Sequence, residues 1–389
     1  MTHESTGEEK TTSQEPGKPA GGRRRRRWLG IVLYILCLAL LIEGVARLTW
    51  RMIDTSWGLV VPQDVSRFDP VYGWSLTPGA CSESKATGRP VEYKINSKGV
   101  RGPETSYDKP EGVSRIVLLG DSHAFGFGVP QDTHFSALME GYLPHTQVVN
   151  LGVNGYGIGQ ELLYLEREGF KYHPDLVIAY VPHYADLRHM RDMVWGMGKP
   201  RYVLKDDALV LTNCPVTNNP TYRVLALDSD RTLSHWSRAY QLLRDTVLHF
   251  VITREQLVGQ KAKAQAAKDG AKAATEGQTP ASASASASAK TNVAPADDPE
   301  RVGEAIIEAM LAASTRHGSR FLLVTRVVPL AQYAEAKGIP CLVIGAPLNN
   351  SRLALRNDPT RHPNEAASGV IAWSIADYIL SHKLLSNTP

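Results

Sequence analysis

Five short, largely apolar runs punctuate the chain: Arg115–Leu119, Val148–Leu151, Leu176–Tyr180, Phe321–Val324 and Cys341–Ile344. Their apolar residues are consecutive, not alternating, and each run is too short for a helix, so they read as strands covered on both faces. A helical period fills the intervals at about 132–142, 159–170, 300–316 and 329–337, and a last amphipathic stretch runs from Asn364 to Leu380. Buried strands alternating with helices predict one α/β domain over 111–382, a three-layer α/β/α sandwich around a parallel sheet of about five strands. In such sheets ligands bind at the carboxyl ends of the strands.

The pattern differs at the two places where the alternation breaks. Residues 187–259 predict a hairpin, Arg201–Leu204 with Leu209–Thr212, turning at Lys205-Asp206-Asp207, and then a helical run over about 234–259. Residues 260–298 are Lys/Ala-rich and then Ala-Ser repeats, which hold no apolar set to bury and read as a disordered insertion within the domain. Upstream, 55–110 is an extension rich in Pro, Gly and Ser. Its Val91–Ile95 alternates like an edge strand and runs into the turn signal Asn96-Ser97-Lys98-Gly99.

The N-terminal end has a third pattern. Residues 1–27 are polar and close on the run Arg23–Arg27, which predicts a disordered basic tail. Trp28 to Ile42 carries no charge, and counting through Ala46 gives a segment of spanning length, with Glu43 and Arg47 near its far end and Trp28 and Trp50 as interfacial anchors. Five arginines on the N-terminal side keep that end cytoplasmic and place the remainder outside the cytoplasm. An uncleaved signal-anchor over 28–50 is the favoured reading. The rivals are a cleaved signal peptide, for which Gly44-Val45-Ala46 is a partial cleavage match, and a surface helix, which the missing polar face disfavours.

Charge excludes one class of partner. The formal net charge is +4, and within the first 27 residues seven Lys and Arg face four Glu. The rest is close to neutral, so nothing points to nucleic acid. The 43% apolar share suffices for a sizeable core. Four cysteines show no CxxC pair and no zinc spacing, and nothing else in the sequence looks like a metal or cofactor site. Cys37 and Cys341 read as packing residues. Cys81 and Cys214 lie in loop-like stretches, and an oxidising compartment would allow them a disulfide.

Candidate chemistry gathers at strand exits. The first strand ends in Gly120-Asp121-Ser122-His123, a tripeptide that also suits a plain turn or helix cap. A serine between a buried strand and a helix can stand at the sheet rim beside free backbone N–H groups, and it needs a base to become a nucleophile. The second strand leads into Asn150-Leu151-Gly152-Val153-Asn154-Gly155-Tyr156-Gly157, where glycines allow close backbone approach to a ligand. Asp358-Pro359-Thr360-Arg361-His362-Pro363-Asn364 precedes the last helix, so His362 can fold back over the strand ends, with an upstream Asp to fix its tautomer. The histidines at 123, 134 and 189 read as surface or structural.

In this order and context the three blocks resemble the SGNH/GDSL hydrolases, over roughly 65–382. Further stretches look like membrane-anchored bacterial members: Asn96-Ser97-Lys98-Gly99-Val100-Arg101-Gly102, Phe125-Gly126-Phe127-Gly128-Val129 and Lys171-Tyr172-His173-Pro174-Asp175-Leu176. The resemblance implies a flavodoxin-like fold and a serine esterase acting through an acyl-enzyme, with Ser122 as nucleophile, His362 as general base and Asp358 as its orienting acid. It further implies the N–H groups of Ser122 and Gly155 as oxyanion donors, and an acylated small molecule or glycan as substrate. Two departures stand out. Ala185, in Val181-Pro182-His183-Tyr184-Ala185-Asp186, occupies the place of the family's oxyanion Asn, with His183 or Tyr184 as substitute donors, and Asp358 lies four residues before the histidine where three is usual. An O-acyltransferase with the same triad and a catalytically silent glycan-binding or assembly domain are therefore the alternatives.

Overall fold

The computed structural model describes residues 21–52, 65–84, 90–182, 188–194, 197–218, 298–345, 351–355, 361–385 and a few positions between 237 and 250. The low-complexity insertion, the helical run at 234–259 apart from those few positions, and the N-terminal 20 residues lie outside the described residues. Contacts divide the chain into two units, residues 1–54 with 233–242, and 55–232 with 243–389.

The first unit contains helix α1 (Gly21–Met52). Its stretch Arg26–Leu48 is long and apolar enough to cross a membrane, a test that a signal sequence also passes. At ~1.5 Å per residue it spans roughly 35 Å, against about 30 Å of hydrocarbon. The helix starts earlier than the apolar run, so the expectation of a disordered tail through residue 27 is corrected for 21–27. Arginine is a good helix former, and the run continues the helix instead of fraying it. Glu43 and Arg47, one helical turn apart, pair at 2.8 Å, and Glu43 also accepts hydrogen bonds from the Ser237 hydroxyl and the Ala239 N–H.

In the second unit the extension forms two antiparallel pairs, β1 (Ser66–Asp69) with β2 (Gly73–Leu76) and β3 (Cys81–Ser84) with β4 (Val91–Lys94). The five apolar runs become β5 (Ser114–Gly120), β6 (Thr146–Asn150), β7 (Leu176–Val181), β12 (Arg320–Thr325) and β13 (Cys341–Val343). They pair in parallel in the order β13-β12-β7-β5-β6. By sequence rank this is 2-1-3-4-5 read from the β6 edge, the flavodoxin-like order. Between them stand β8 (Met193–Val194), β9 (Met197–Gly198), β10 (Arg201–Lys205) and β11 (Ala208–Thr212). The hairpin of β10 and β11 turns on Asp206 and Asp207, both at positive φ, as a two-residue turn of the twist-matching kind requires.

Alternate residues of each strand feed opposite faces. Val117, Leu119, Val177, Ala179, Phe321 and Leu323 pack under α4 (Ile158–Arg167), α5 (Pro299–Arg316) and α6 (Val328–Ala336). Ile116, Leu118, Leu176, Ile178, Leu322 and Val324 pack under α3 (Phe135–Tyr142) and α7 (Glu365–Ser381). These are the three layers. All four cysteines are free, so the disulfide open to Cys81 and Cys214 is absent; Cys81 Sγ instead lies 3.3 Å from a Glu92 carboxylate oxygen.

Candidate active site

Three loops meet at the carboxyl ends of β5 and β6. β5 runs straight into a one-turn helix, α2 (Ser122–Phe125). The Asp121 carboxylate caps it by accepting the His123 N–H at 2.9 Å, so the acid of Gly-Asp-Ser shapes the turn. Ser122 is the first helical residue, at the end where backbone N–H groups are unpaired by the helix itself.

The second loop is the glycine block after β6. Gly152 approaches the turn so closely that a Cβ there would fall 2.3 Å from the Phe125 nitrogen. Gly155 adopts φ +78°, a conformation that turns the backbone where a side chain would be strained. The extension holds this loop from outside. The Trp74 indole donates to the Asn154 carbonyl at 2.9 Å, and the Tyr156 hydroxyl donates back to the Trp74 carbonyl at 2.6 Å. The Gln160 amide donates to the Tyr72 carbonyl at 2.8 Å.

The third loop carries His362. Its carbonyl accepts from the Leu355 N–H at 2.8 Å, and the Asn364 N–H donates to the Leu353 carbonyl at 3.0 Å, which fixes the loop as a short bridge. Asn364 then caps α7 through the Ala367 N–H. The result is a His362 Nε2 to Ser122 Oγ distance of 2.7 Å, between residues 240 apart in sequence. Both are nearly buried, at 8% and 3% exposure. With the hydroxyl donating, Nε2 is the acceptor, which is the tautomer a general base needs.

Two rings flank that imidazole. His123 lies 4.9 Å from it centroid to centroid and Phe127 4.8 Å. His123, His134 and His189 are all buried, so of the two readings offered for them, surface or structural, the surface one falls; the His123 ring also stands beside that of His362. Its position directly after Ser122 was the available signal, but periodicity cannot assign a ring to a neighbour 239 residues away. His134 is structural, its Nε2 3.2 Å from the His123 carbonyl and its Nδ1 2.8 Å from the Ser136 hydroxyl. Burial, and next the Arg101 charge, push its pKa down to about 3, so the ring is neutral.

Asp358 and the stretch His183-Tyr184-Ala185-Asp186 lie outside the described residues. Ser122, His362 and the Gly155 loop come together at one rim. Among the described residues no group of three His, Cys, Asp or Glu is arranged to hold a metal ion.

No family model matches the chain, and no curated protein matches it. Solved structures similar to it include a lipolytic protein of the G-D-S-L family from Veillonella parvula, at 10% identity and TM-score 0.34, covering 68% of this chain and 97% of that one. Another is a psychrotrophic esterase from Pseudoalteromonas, at 11% identity and TM-score 0.35, covering 69% and 98%. A third is a variant of an acetyl-xylooligosaccharide esterase from Geobacillus, at 11% identity and TM-score 0.33, covering 68% and 94%.

Proposed function

We propose that the protein is a serine esterase of the SGNH/GDSL type, anchored to a membrane by α1 with its N-terminus cytoplasmic and its α/β domain outside. The observation that carries the reading is the 2.7 Å approach of His362 Nε2 to Ser122 Oγ at the rim of a parallel sheet. A hydroxyl held within hydrogen-bonding reach of an imidazole nitrogen is the arrangement that makes serine nucleophilic.

In this mechanism Ser122 Oγ attacks an ester carbonyl while its proton passes to His362 Nε2. The N–H groups of Ser122 and Gly155 receive the developing oxyanion. The imidazolium then gives its proton to the departing alcohol, leaving an acyl-enzyme. Water, deprotonated by the same nitrogen, releases the acid and restores the serine. Asp358 is the residue we assign to orient the imidazole. The substrate class we propose is an acylated small molecule or an O-acylated glycan, reached outside the cytoplasm.

A fluorophosphonate probe tests this directly. The native protein should form a covalent adduct and Ser122→Ala should form none. A native protein that stays unlabelled while folded would favour a binding or assembly role. Release of acetate from an acetylated glycan, compared with acetyl transfer to an added glycan acceptor, then separates hydrolase from O-acyltransferase.

A further inference from the structure

Arg101 is 2% exposed, and among the described residues no carboxylate pairs with it. Both terminal nitrogens of its guanidinium donate to backbone carbonyls, while its buried Nε meets no acceptor among the described residues. One terminal nitrogen donates to the carbonyls of Phe125 and Gly126, both at 2.6 Å, and the other to the Val129 carbonyl at 2.6 Å. The rings of Tyr93 and Phe125 cover it at 4.7 and 5.0 Å. Tyr93 itself accepts the Gly128 N–H at 2.8 Å through its hydroxyl. All three Arg101 acceptors therefore lie on the turn that begins at Ser122, whereas Arg101 belongs to the extension and bridges Ile95 beside β4.

The placement answers a physical need. A helix of four residues is below the length at which it sustains itself, and its carbonyls run out of helical donors at once. Within the turn, the Asp121, Ser122 and Gly126 carbonyls find local N–H groups. The His123 carbonyl faces His134 Nε2, Ala124 takes the Asn150 amide at 2.7 Å, and Phe125 and Gly126 take Arg101. A cation is the donor suited to the carboxyl end of a helix, and a planar fork can bind several carbonyls with fixed angles where an ammonium cannot. Burying a charge is costly, so a residue serving only to fill space would be apolar.

We propose that Arg101 is a positioning residue for Ser122, its guanidinium holding the carboxyl end of the nucleophile turn so that Oγ stays aligned with His362 Nε2. The catalytic consequence rests on the serine-esterase reading; the clamp itself does not. The control is Arg115, equally buried, which bonds the carbonyls of Tyr107 and Tyr172 and the Gln147 side chain at the start of β5, at the other end of the strand.

The experiment uses the full chain in detergent, with Arg101→Met, Arg101→Lys and Arg115→Met. Two quantities are read: hydrogen exchange of amides 122–129, and the rate of fluorophosphonate labelling alongside kcat and KM for p-nitrophenyl acetate. Arg101→Met should raise exchange in that segment and slow labelling and kcat by roughly 10²-fold with KM little changed, the loss expected from displacing a reacting atom by about an ångström. Arg101→Lys should recover part of the rate. Arg115→Met should lower the melting temperature yet label at the native rate well below it. Labelling by Arg101→Met at the native rate, or slowing matched by Arg115→Met, overturns the proposal. If Arg101→Met does not fold, native exchange and labelling in Arg101→Lys overturn it. A native protein that does not label defeats the esterase reading, and the clamp then stands or falls on whether exchange at 122–129 rises in the Arg101 variants.

Discussion

At residue scale, Ser122 faces an imidazole whose loop and ring neighbours are each set by identified contacts. His362→Gln keeps a side chain of similar reach but cannot serve as base. It should leave the fold and melting temperature near native while kcat for ester hydrolysis falls by at least about 10³-fold. His134 makes a different prediction, about acid. Its folded pKa of about 3 lies below the ordinary 6.5, so between those values the unfolded chain binds a proton that the folded one refuses. Its contribution is complete above about pH 6.5 and declines as pH falls toward 3, on the order of a few kcal/mol in total. Urea midpoints measured from pH 7 to 4 should drop for the native protein and show a shallower slope for His134→Gln.

At element scale, much was legible because burial writes itself into sequence. Strands covered on both faces must be near-continuously apolar, as β5 and β7 are; all five runs became strands of one parallel sheet, but the edge strand β13 is only partly covered. The hairpin was legible from turn chemistry, since Asp tolerates the positive φ found at 206 and 207. Of the site, Ser122, His362 and the Gly155 loop were legible, because strand exits are where such sheets bind ligands. The roles of Arg101, His123 and Phe127 were not. Arg101 lies in a stretch that drew attention, but its acceptors are main-chain carbonyls, which no side-chain pattern reports. The start of α1 was misplaced because charge says where a helix leaves the bilayer, not where its hydrogen bonding begins. The close seat of the glycine block under the turn carries a prediction of its own. In Gly152→Ala the new methyl would meet the backbone of Ala124 and Phe125, at 2.5 and 2.3 Å, and neither can yield as a side-chain tip would. The cost should be about 3 kcal/mol or more in denaturant unfolding, with labelling of any folded fraction slowed.

At the scale of the whole molecule, the sheet order places β5 between β6 and β7, so successive connections depart to opposite sides of β5. Such a divergence is the point at which doubly wound sheets in general bind ligands, and Ser122 stands at it. The extension holds both loops, through Trp74 against Asn154 and Tyr156 of the glycine block and through Arg101 and Tyr93 against the turn after Ser122. The anchor proposal is checked by fractionation. A chain lacking residues 1–52 should move from the carbonate-resistant membrane pellet to the supernatant, and its retention in the pellet would count against α1 as the anchor.

The 240 residues between hydroxyl and imidazole also set an order of events during synthesis. A ribosome that has just made the serine has most of the remaining chain still to polymerise before the histidine emerges. The nascent polypeptide therefore carries a disarmed hydroxyl throughout elongation. On the esterase reading, the pair would be complete only once the final helix docks across α3, so truncated or stalled products should be inert toward every ester they meet.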